Sequence, residues 1–161
     1  MKQNGRLSEN IRIEIVKSSR MLTVFEGQNP IKTFQVALGF APVGDKHIEG
    51  DGKTPEGSFY VFTKNPASKF HLSLGISYPS IDNAMRGLEA NLISQDEFES
   101  ITRSIGEKAK PLQKTRLGGE IYIHGGGIEG DWTDGCIALK DKEIEELYGL
   151  VPVGAIVDIL P

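Results

Sequence analysis

Residues 121–140 read Ile-Tyr-Ile-His-Gly-Gly-Gly-Ile-Glu-Gly-Asp-Trp-Thr-Asp-Gly-Cys-Ile-Ala-Leu-Lys, and this stretch is the most informative part of the chain. It contains the only cysteine, Cys136, the only tryptophan, Trp132, and one of three histidines, His124. A short apolar strand pattern leads into His124, and a glycine-rich loop separates it from Cys136. Such a loop can fold back and bring the thiol beside the imidazole, so the stretch indicates thiol nucleophile chemistry.

Each group that such chemistry needs has a candidate in this stretch. A thiol attacks as its thiolate, and a free cysteine is mostly protonated at neutral pH, so His124 is the candidate base for Cys136. The amides of Gly135 and Cys136 are candidates for an oxyanion hole, and the carbonyl of Gly125 is a candidate to orient the imidazole. From residue types alone, an inert buried cysteine and a structural histidine remain open alternatives.

Two other kinds of site fit parts of the same stretch less well. His124, Glu129, Asp131, Asp134 and Cys136 are close in sequence, but neither the C-x-x-C nor the H-x-x-x-H spacing of a zinc site is present. Three glycines follow the strand as in a phosphate-binding loop, but no Gly-Lys-Ser/Thr and no helix start come after them.

The size and composition of the chain are those of one globular domain. It has 161 residues, of which 39% are hydrophobic and 25% are charged. Its 19 glycines and 8 prolines favour strands joined by short loops over a helical bundle. A net charge of -4 argues against general nucleic-acid binding. A single cysteine excludes an internal disulfide, and no apolar run has the length of a membrane span.

Hydrophobic periodicity and turn residues predict a mostly-β domain. The predicted strands are at residues 11–16, 21–25, 31–40, 58–63, 71–77, 120–124 and 155–160. We expect the first three to form an antiparallel meander, followed by a loop at 41–57. Residues 1–10 are expected to form a flexible N-terminal segment, and residues 11–161 a single domain.

Helical patterns occur in two places. A helical insertion around 82–117 contains predicted helices at 82–90 and 94–108, and the second begins with a Ser-x-x-Glu capping box at residues 94–97. A short helix is predicted around 141–149, with Asp141 as N-cap and Gly149 as C-cap.

Three motifs occur in a fixed order along the chain. Thr-Pro-Glu-Gly-Ser-Phe at 54–59 is followed by His-Gly at 124–125 and by Thr-Asp-Gly-Cys at 133–136, and Leu-Ser-Leu-Gly-Ile-Ser-Tyr-Pro lies at 72–79. The pattern resembles the L,D-transpeptidase catalytic domain (the YkuD family), which has a His-Gly on a strand, then Ser/Thr-His-Gly-Cys before an apolar residue. The similarity extends from about residue 11 to the C-terminus and is weakest in the helical insertion.

The resemblance implies an L,D-transpeptidase-like β-sandwich or barrel and a cysteine-dependent reaction on peptidoglycan stem peptides. Cys136 would attack the amide after the L-centre and release a terminal D-residue, and the thioester would pass to an amine. His124 would take the thiol proton, Gly125 would orient His124, and the amides of Gly135 and Cys136 would hold the oxyanion. The resemblance implies no metal or cofactor, and a monomer.

The resemblance also bears on location. It implies the cell envelope, at the periplasm or the face of the cell wall. The N-terminus lacks the apolar core of a signal peptide, so either a leader has been removed or the protein is cytoplasmic. Both possibilities remain open from the sequence.

Two positions depart from the family pattern. Asp134 stands where a histidine is usual, and a carboxylate beside Cys136 disfavours the thiolate. Ala138 stands where an arginine is common, so recognition of a substrate carboxylate would fall to Lys140 or to the basic stretch 103–116. The predicted substrate-binding residues are Asp134, Thr133, Trp132 and Lys140.

These departures keep two other functions open. If water resolves the thioester, the same Cys/His pair makes an L,D-carboxypeptidase or an amidase-like hydrolase. Asp134 and the missing arginine are also compatible with a catalytically inactive peptidoglycan-binding module.

Overall fold

The computed structural model describes residues 10–161, so the expectation for residues 1–9 lies outside the described residues. The strands are β1 (Ile11–Val16), β2 (Met21–Glu26), β3 (Asn29–Gln35), β4 (Gly57–Ser68), β5 (His71–Ile76), β6 (Tyr122–His124), β7 (Ile137–Ala138) and β8 (Ile156–Leu160). The helices are α1 (Ile81–Glu89), α2 (Gln95–Gly106) and α3 (Asp141–Leu150). None of the helices in this part of the chain is long and apolar enough to cross a membrane.

All eight strands belong to one mixed sheet in the order β3-β2-β1-β8-β4-β5-β6-β7. The β1–β8 and β6–β7 pairs are parallel, and the other pairs are antiparallel. Just after β3, Ala37 exchanges two backbone hydrogen bonds of 2.9 Å with Ala138 of β7, so the two edges of the sheet meet. The sheet forms a half-barrel whose edges are joined by this contact, and the predicted mostly-β fold with its helical insertion and its N-terminal meander is confirmed.

The alternation in β1 explains why it forms a strand with one face on the core. Ile13 and Ile15 are fully buried, while Arg12 and Glu14 between them are partly exposed, which is the pattern of a strand with one core face. The helical insertion has its own apolar cluster around Ile101 and does not enter the main core. The fold thus places the helices beside the sheet and leaves the sheet continuous.

The capping box at the start of α2 is confirmed. The Ser94 hydroxyl accepts from the Glu97 amide at 3.1 Å, and the Glu97 carboxylate accepts from the Ser94 amide at 2.9 Å. The capping of α3 was predicted wrongly. Lys140 is its N-cap, and Asp141 is the first helical residue, because the Asp141 carboxylate accepts from the distant Gly126 amide at 2.9 Å.

The other end of α3 and several strand ends also differ from the prediction. Gly149 lies inside α3, which continues to Leu150 and is capped by Val151. The predicted strand at 31–40 ends at Gln35, since the chain beyond it leaves the meander to pair with β7. β4 continues to Ser68, well past the predicted end, and β6 begins two residues later than predicted.

A buried lysine fixes the long loop 41–57 to the sheet. Lys17, only 3% exposed, donates to the carbonyl oxygens of Gly44 at 2.8 Å and Thr54 at 2.7 Å, and it pairs with Glu56 at 3.1 Å. A buried ammonium is stable only when its donors are satisfied, and here carbonyls and a carboxylate satisfy them. This loop carries part of the wall of the cavity described below.

Replacing Lys17 with Met should lower the free energy of unfolding by about 2 kcal/mol, because the carbonyls of Gly44 and Thr54 lose a charged donor. Urea denaturation of the purified protein measures this. The control is Lys32→Met, which removes the exposed pair with Glu146 and should cost less than about 1 kcal/mol. Equal effects of the two substitutions would contradict the anchoring role of Lys17.

Candidate active site

The pairing of two short strands brings the thiol and the imidazole together. β6 and β7 lie parallel with His124 opposite Ala138, and Cys136 directly precedes β7. The Cys136 sulfur therefore lies at the start of β6, where it accepts from the Tyr122 amide and donates to the Glu120 carbonyl, both at 3.3 Å. Cys136 and His124 line the same cavity.

The imidazole of His124 is fixed on three sides. It is 4% exposed, and its Nδ1 lies 2.6 Å from the Gly125 carbonyl oxygen. Since a carbonyl only accepts, Nδ1 carries the proton and Nε2 of the neutral ring has a free lone pair. Phe70 stacks on the ring at 4.7 Å, and Trp132 contacts it edge-on at 5.7 Å. Burial lowers the pKa of His124, and the hydrogen bond to Gly125 opposes this.

The thiol is protonated at rest. Burial raises the pKa of Cys136 to about 11, the Tyr122 amide opposes this, and the carboxylates of Asp134 and Glu120 raise it further. Among the described residues, no hydrogen bond joins its sulfur to His124. The site therefore begins with a neutral thiol and a neutral imidazole.

Thr133 shapes the turn before the cysteine. Its hydroxyl donates to the Cys136 carbonyl at 2.7 Å and accepts from the Gly135 amide at 3.1 Å. Gly135 has φ +144°, and a Cβ there would lie 2.8 Å from the Lys53 carbonyl oxygen, so only glycine fits. One of the two predicted oxyanion donors, the Gly135 amide, is thus already bonded to Thr133.

A distant ion pair anchors the loop between His124 and Cys136. Arg20 donates from Nη2 and Nε to the two oxygens of Asp131, at 2.7 and 3.2 Å, and the Leu38 amide donates to the same carboxylate at 3.0 Å. These hydrogen bonds, with Arg20 as the main cause, hold the pKa of Asp131 below its usual range. The next residue is Trp132, whose Nε1 donates to the Gly127 carbonyl at 2.9 Å.

The cavity around Cys136 has a volume of about 1080 Å³. Of the predicted substrate-binding residues, Trp132, Thr133 and Asp134 line it, and Asp134 is exposed. Lys140 lines a different pocket together with Trp132 and Gly127, so the structure does not bring it to the cysteine. Within residues 10–161, no group of His, Cys, Asp and Glu side chains is arranged to hold a metal ion.

Three contributors to the site carry no signal in the sequence motifs. Phe70 comes from the turn between β4 and β5, Arg20 from the turn between β1 and β2, and Lys46 from the loop 41–57. Each is far from the loop 125–136 in sequence, and only the pairing of the strands brings them near. A local pattern could not have identified them.

A buried imidazole and a lone thiol line one cavity where two parallel strands are joined by a glycine-rich loop, and they are a candidate cysteine–histidine site for acyl transfer. The chain belongs to the YkuD family, since the model of the L,D-transpeptidase catalytic domain matches residues 10–159. The family identified from the sequence motifs is therefore confirmed.

Solved structures share this fold. The chain is 23% identical to the helical cell shape determining protein Pgp2 from Campylobacter jejuni over 92% of this chain and 46% of that one, with a TM-score of 0.65. For Bd1075 from Bdellovibrio bacteriovorus the values are 19%, 94%, 48% and 0.62. For an L,D-transpeptidase from Mycobacterium smegmatis they are 12%, 94%, 59% and 0.57. The chain thus spans about half the length of these proteins, and no curated protein gives a match.

The raised thiol pKa predicts the pH dependence of alkylation. The rate at which iodoacetamide modifies Cys136 should rise through alkaline pH with a midpoint near 11, because the thiolate is the reactive form. Asp134→Asn should lower this midpoint, whereas Asp96→Asn on α2, an acidic residue that does not line the cavity, should not. A rate that is already maximal at pH 8 would contradict the protonated resting thiol.

The Arg20–Asp131 pair predicts a coupling between the β1–β2 turn and the only tryptophan. Arg20→Gln should increase the quenching of Trp132 fluorescence by acrylamide, because the loop that carries Trp132 loses its anchor. It should also lower the free energy of unfolding by about 1 kcal/mol, a modest loss because the pair is partly exposed. The control is Arg103→Gln, at an exposed position on α2. Unchanged quenching in Arg20→Gln would show that the pair does not hold the loop.

Proposed function

We propose that this chain is a cysteine-dependent L,D-transpeptidase domain that acts on peptidoglycan stem peptides. The proposal rests on one observation. His124, oriented by the Gly125 carbonyl, lines the same cavity as the lone thiol of Cys136. Membership of the YkuD family supports the reaction class. Pgp2 is a helical cell shape determining protein, and the similarity to it supports a role at the cell wall. We further propose that the protein is located in the cell envelope and is a monomer.

The reaction would begin when the Cys136 thiol exchanges its hydrogen bond to Glu120 for one to Nε2 of His124. Nε2 accepts the thiol proton while sulfur adds to the carbonyl carbon of the amide after the L-centre. The carbon–nitrogen bond breaks, the departing D-residue takes the proton from Nε2 on its amine, and a thioester remains on Cys136.

The second half of the reaction would reverse these roles. An acceptor amine adds to the thioester carbon and gives its proton to Nε2 of His124. The carbon–sulfur bond breaks, the new amide leaves, and the Cys136 sulfur regains the proton.

The timing of the first proton transfer follows from the resting state. The thiol of Cys136 and the imidazole of His124 both start neutral, so the proton would move as the carbon–sulfur bond forms, as in general-base catalysis, without a stable ion pair before the attack.

The remaining residues of the loop would position the substrate. The Cys136 amide would donate to the oxyanion, and the Gly135 amide would join it by sharing or releasing its bond to Thr133. The exposed carboxylate of Asp134 would attract the ammonium form of an acceptor to the cavity. Trp132, packed against His124 but 38% exposed, would offer the substrate an apolar surface.

One observation favours a second candidate function. Cys136 is partly exposed to the open cavity, so water can reach a thioester there as well as an amine. The same chemistry with water as acceptor would make the enzyme an L,D-carboxypeptidase.

The test is incubation of the protein with purified tetrapeptide muropeptides and separation of the products. Wild type should form cross-linked dimers, Cys136→Ala should form none, and His124→Gln should be slower by about 10²- to 10⁴-fold because it lacks the base. His47→Gln, at an exposed histidine outside the cavity, is the matched control and should retain activity. Tripeptides without dimers at any acceptor concentration would identify a hydrolase. Unchanged substrate would contradict both enzymatic functions and favour an inactive peptidoglycan-binding module.

A further inference from the structure

We propose that Lys114 and Arg116 form a carboxylate-binding subsite in the wall of the Cys136 cavity. The subsite would take a free carboxylate of the peptide that the enzyme acts on, at a position set back from the reacting sulfur. This inference rests on the proposed function, because it assumes that the cavity receives a peptide. It concerns the residues 113–121, which form a large part of the cavity wall without supplying any reacting group.

The first observation is that these two cations have no anionic partner. Both side chains are exposed and line the cavity, and neither forms an ion pair or a side-chain hydrogen bond within residues 10–161. The other cation in the wall, Lys46, is 3% exposed and donates to Asp51 and to the Ile48 carbonyl, both at 3.0 Å. The positive charge available to a ligand in this cavity is therefore that of Lys114 and Arg116.

The second observation is that the backbone carrying the cations is fixed. The Gln113 side chain donates to the Tyr78 carbonyl at 2.8 Å and accepts from the Glu120 amide at 2.7 Å. The Leu117 carbonyl accepts from the buried Tyr78 hydroxyl at 2.7 Å, and Leu117 itself is 1% exposed. A ligand that binds here would order only the ends of two side chains, which lowers the entropic cost of binding.

The third observation is the separation of the remaining basic residues from this wall. Lys108 lies over the ring of Tyr60 at 5.6 Å and Lys110 over the ring of Phe62 at 5.8 Å, so both contact aromatic rings outside the cavity. Arg103 is on α2 and does not line the cavity either. The basic stretch of the sequence thus divides, and only its last two cations face the cysteine site.

Two of the acidic residues that line the cavity act on the reacting sulfur. The carboxylates of Asp134 and Glu120 raise the pKa of the Cys136 thiol, so their negative charge acts at the sulfur. The same cavity wall carries the unpaired positive charge of Lys114 and Arg116. A peptide that carries both an amine and a free carboxylate complements such a wall.

Glu49 is an acidic residue of the cavity wall whose backbone is hydrogen-bonded to that of Arg116. Its amide donates to the Arg116 carbonyl at 2.9 Å, yet its carboxylate makes no ion pair with Arg116. Its negative charge should oppose a bound carboxylate. Removing that charge should therefore strengthen binding, whereas removing the cations should weaken it.

The experiment measures binding by calorimetry to the Cys136→Ala protein, in which no chemistry can occur. The probe is a synthetic stem tetrapeptide in three forms: the free acid, the terminal amide, and the amide of its internal carboxylate. The free acid should bind best, and the two amides show which carboxylate occupies the subsite. Adding Lys114→Gln and Arg116→Gln should weaken binding of the free acid about tenfold. In this double variant, the free acid should bind no better than the peptide whose subsite carboxylate is an amide.

Two further variants complete the test. Arg103→Gln, a basic residue outside the cavity, should leave binding of the free acid unchanged, and Glu49→Gln should strengthen it. Equal binding of the acid and both amides, or no binding of any form, would overturn the subsite, as would an unchanged affinity in the double variant. If carboxylate selectivity is found but wild type never turns the peptide over, the proposed function fails and the subsite stands.

Discussion

The structure depends on the parallel pairing of β6 and β7, two very short strands. Parallel strands need a connection of roughly a dozen residues or more, usually a helix, and here the glycine-rich loop 125–136 makes the connection. The pairing is stable because Ala37 binds the other side of Ala138 and joins the two edges of the sheet. It places Cys136 beside Tyr122, two residue pairs before His124 and Ala138, so the geometry of the site is a consequence of strand register.

Burial determines the electrostatic state of this site. The same enclosure that holds His124 between Phe70 and Trp132 lowers its pKa, and the surroundings of Cys136 raise the pKa of the thiol. An ion pair formed at rest would have to overcome both effects. The structure instead favours a neutral thiol and a neutral imidazole in the ligand-free site. Asp134 strengthens this tendency, since its charge stabilises the thiol over the thiolate.

The sequence was informative wherever a local pattern had a local cause. Alternation in β1 and the capping box of α2 predicted those elements correctly. Asp141 was predicted wrongly as a cap because its carboxylate binds Gly126, fifteen residues earlier in the chain. The Arg20–Asp131 pair, across 111 residues, has no local signature at all. The motifs identified the family and the reacting residues as candidates, while the shape and charge of the cavity required the folded chain.

The most direct test of this account is mass spectrometry of the intact protein after rapid acid quench of its reaction with a tetrapeptide donor, without an acceptor amine. We predict a single adduct on Cys136 that adds the mass of the donor acyl group less one hydrogen, is cleaved by hydroxylamine as a thioester, and is absent from Cys136→Ala. Turnover of the peptide with no adduct at any quench time, or the same adduct on Cys136→Ala, would contradict it.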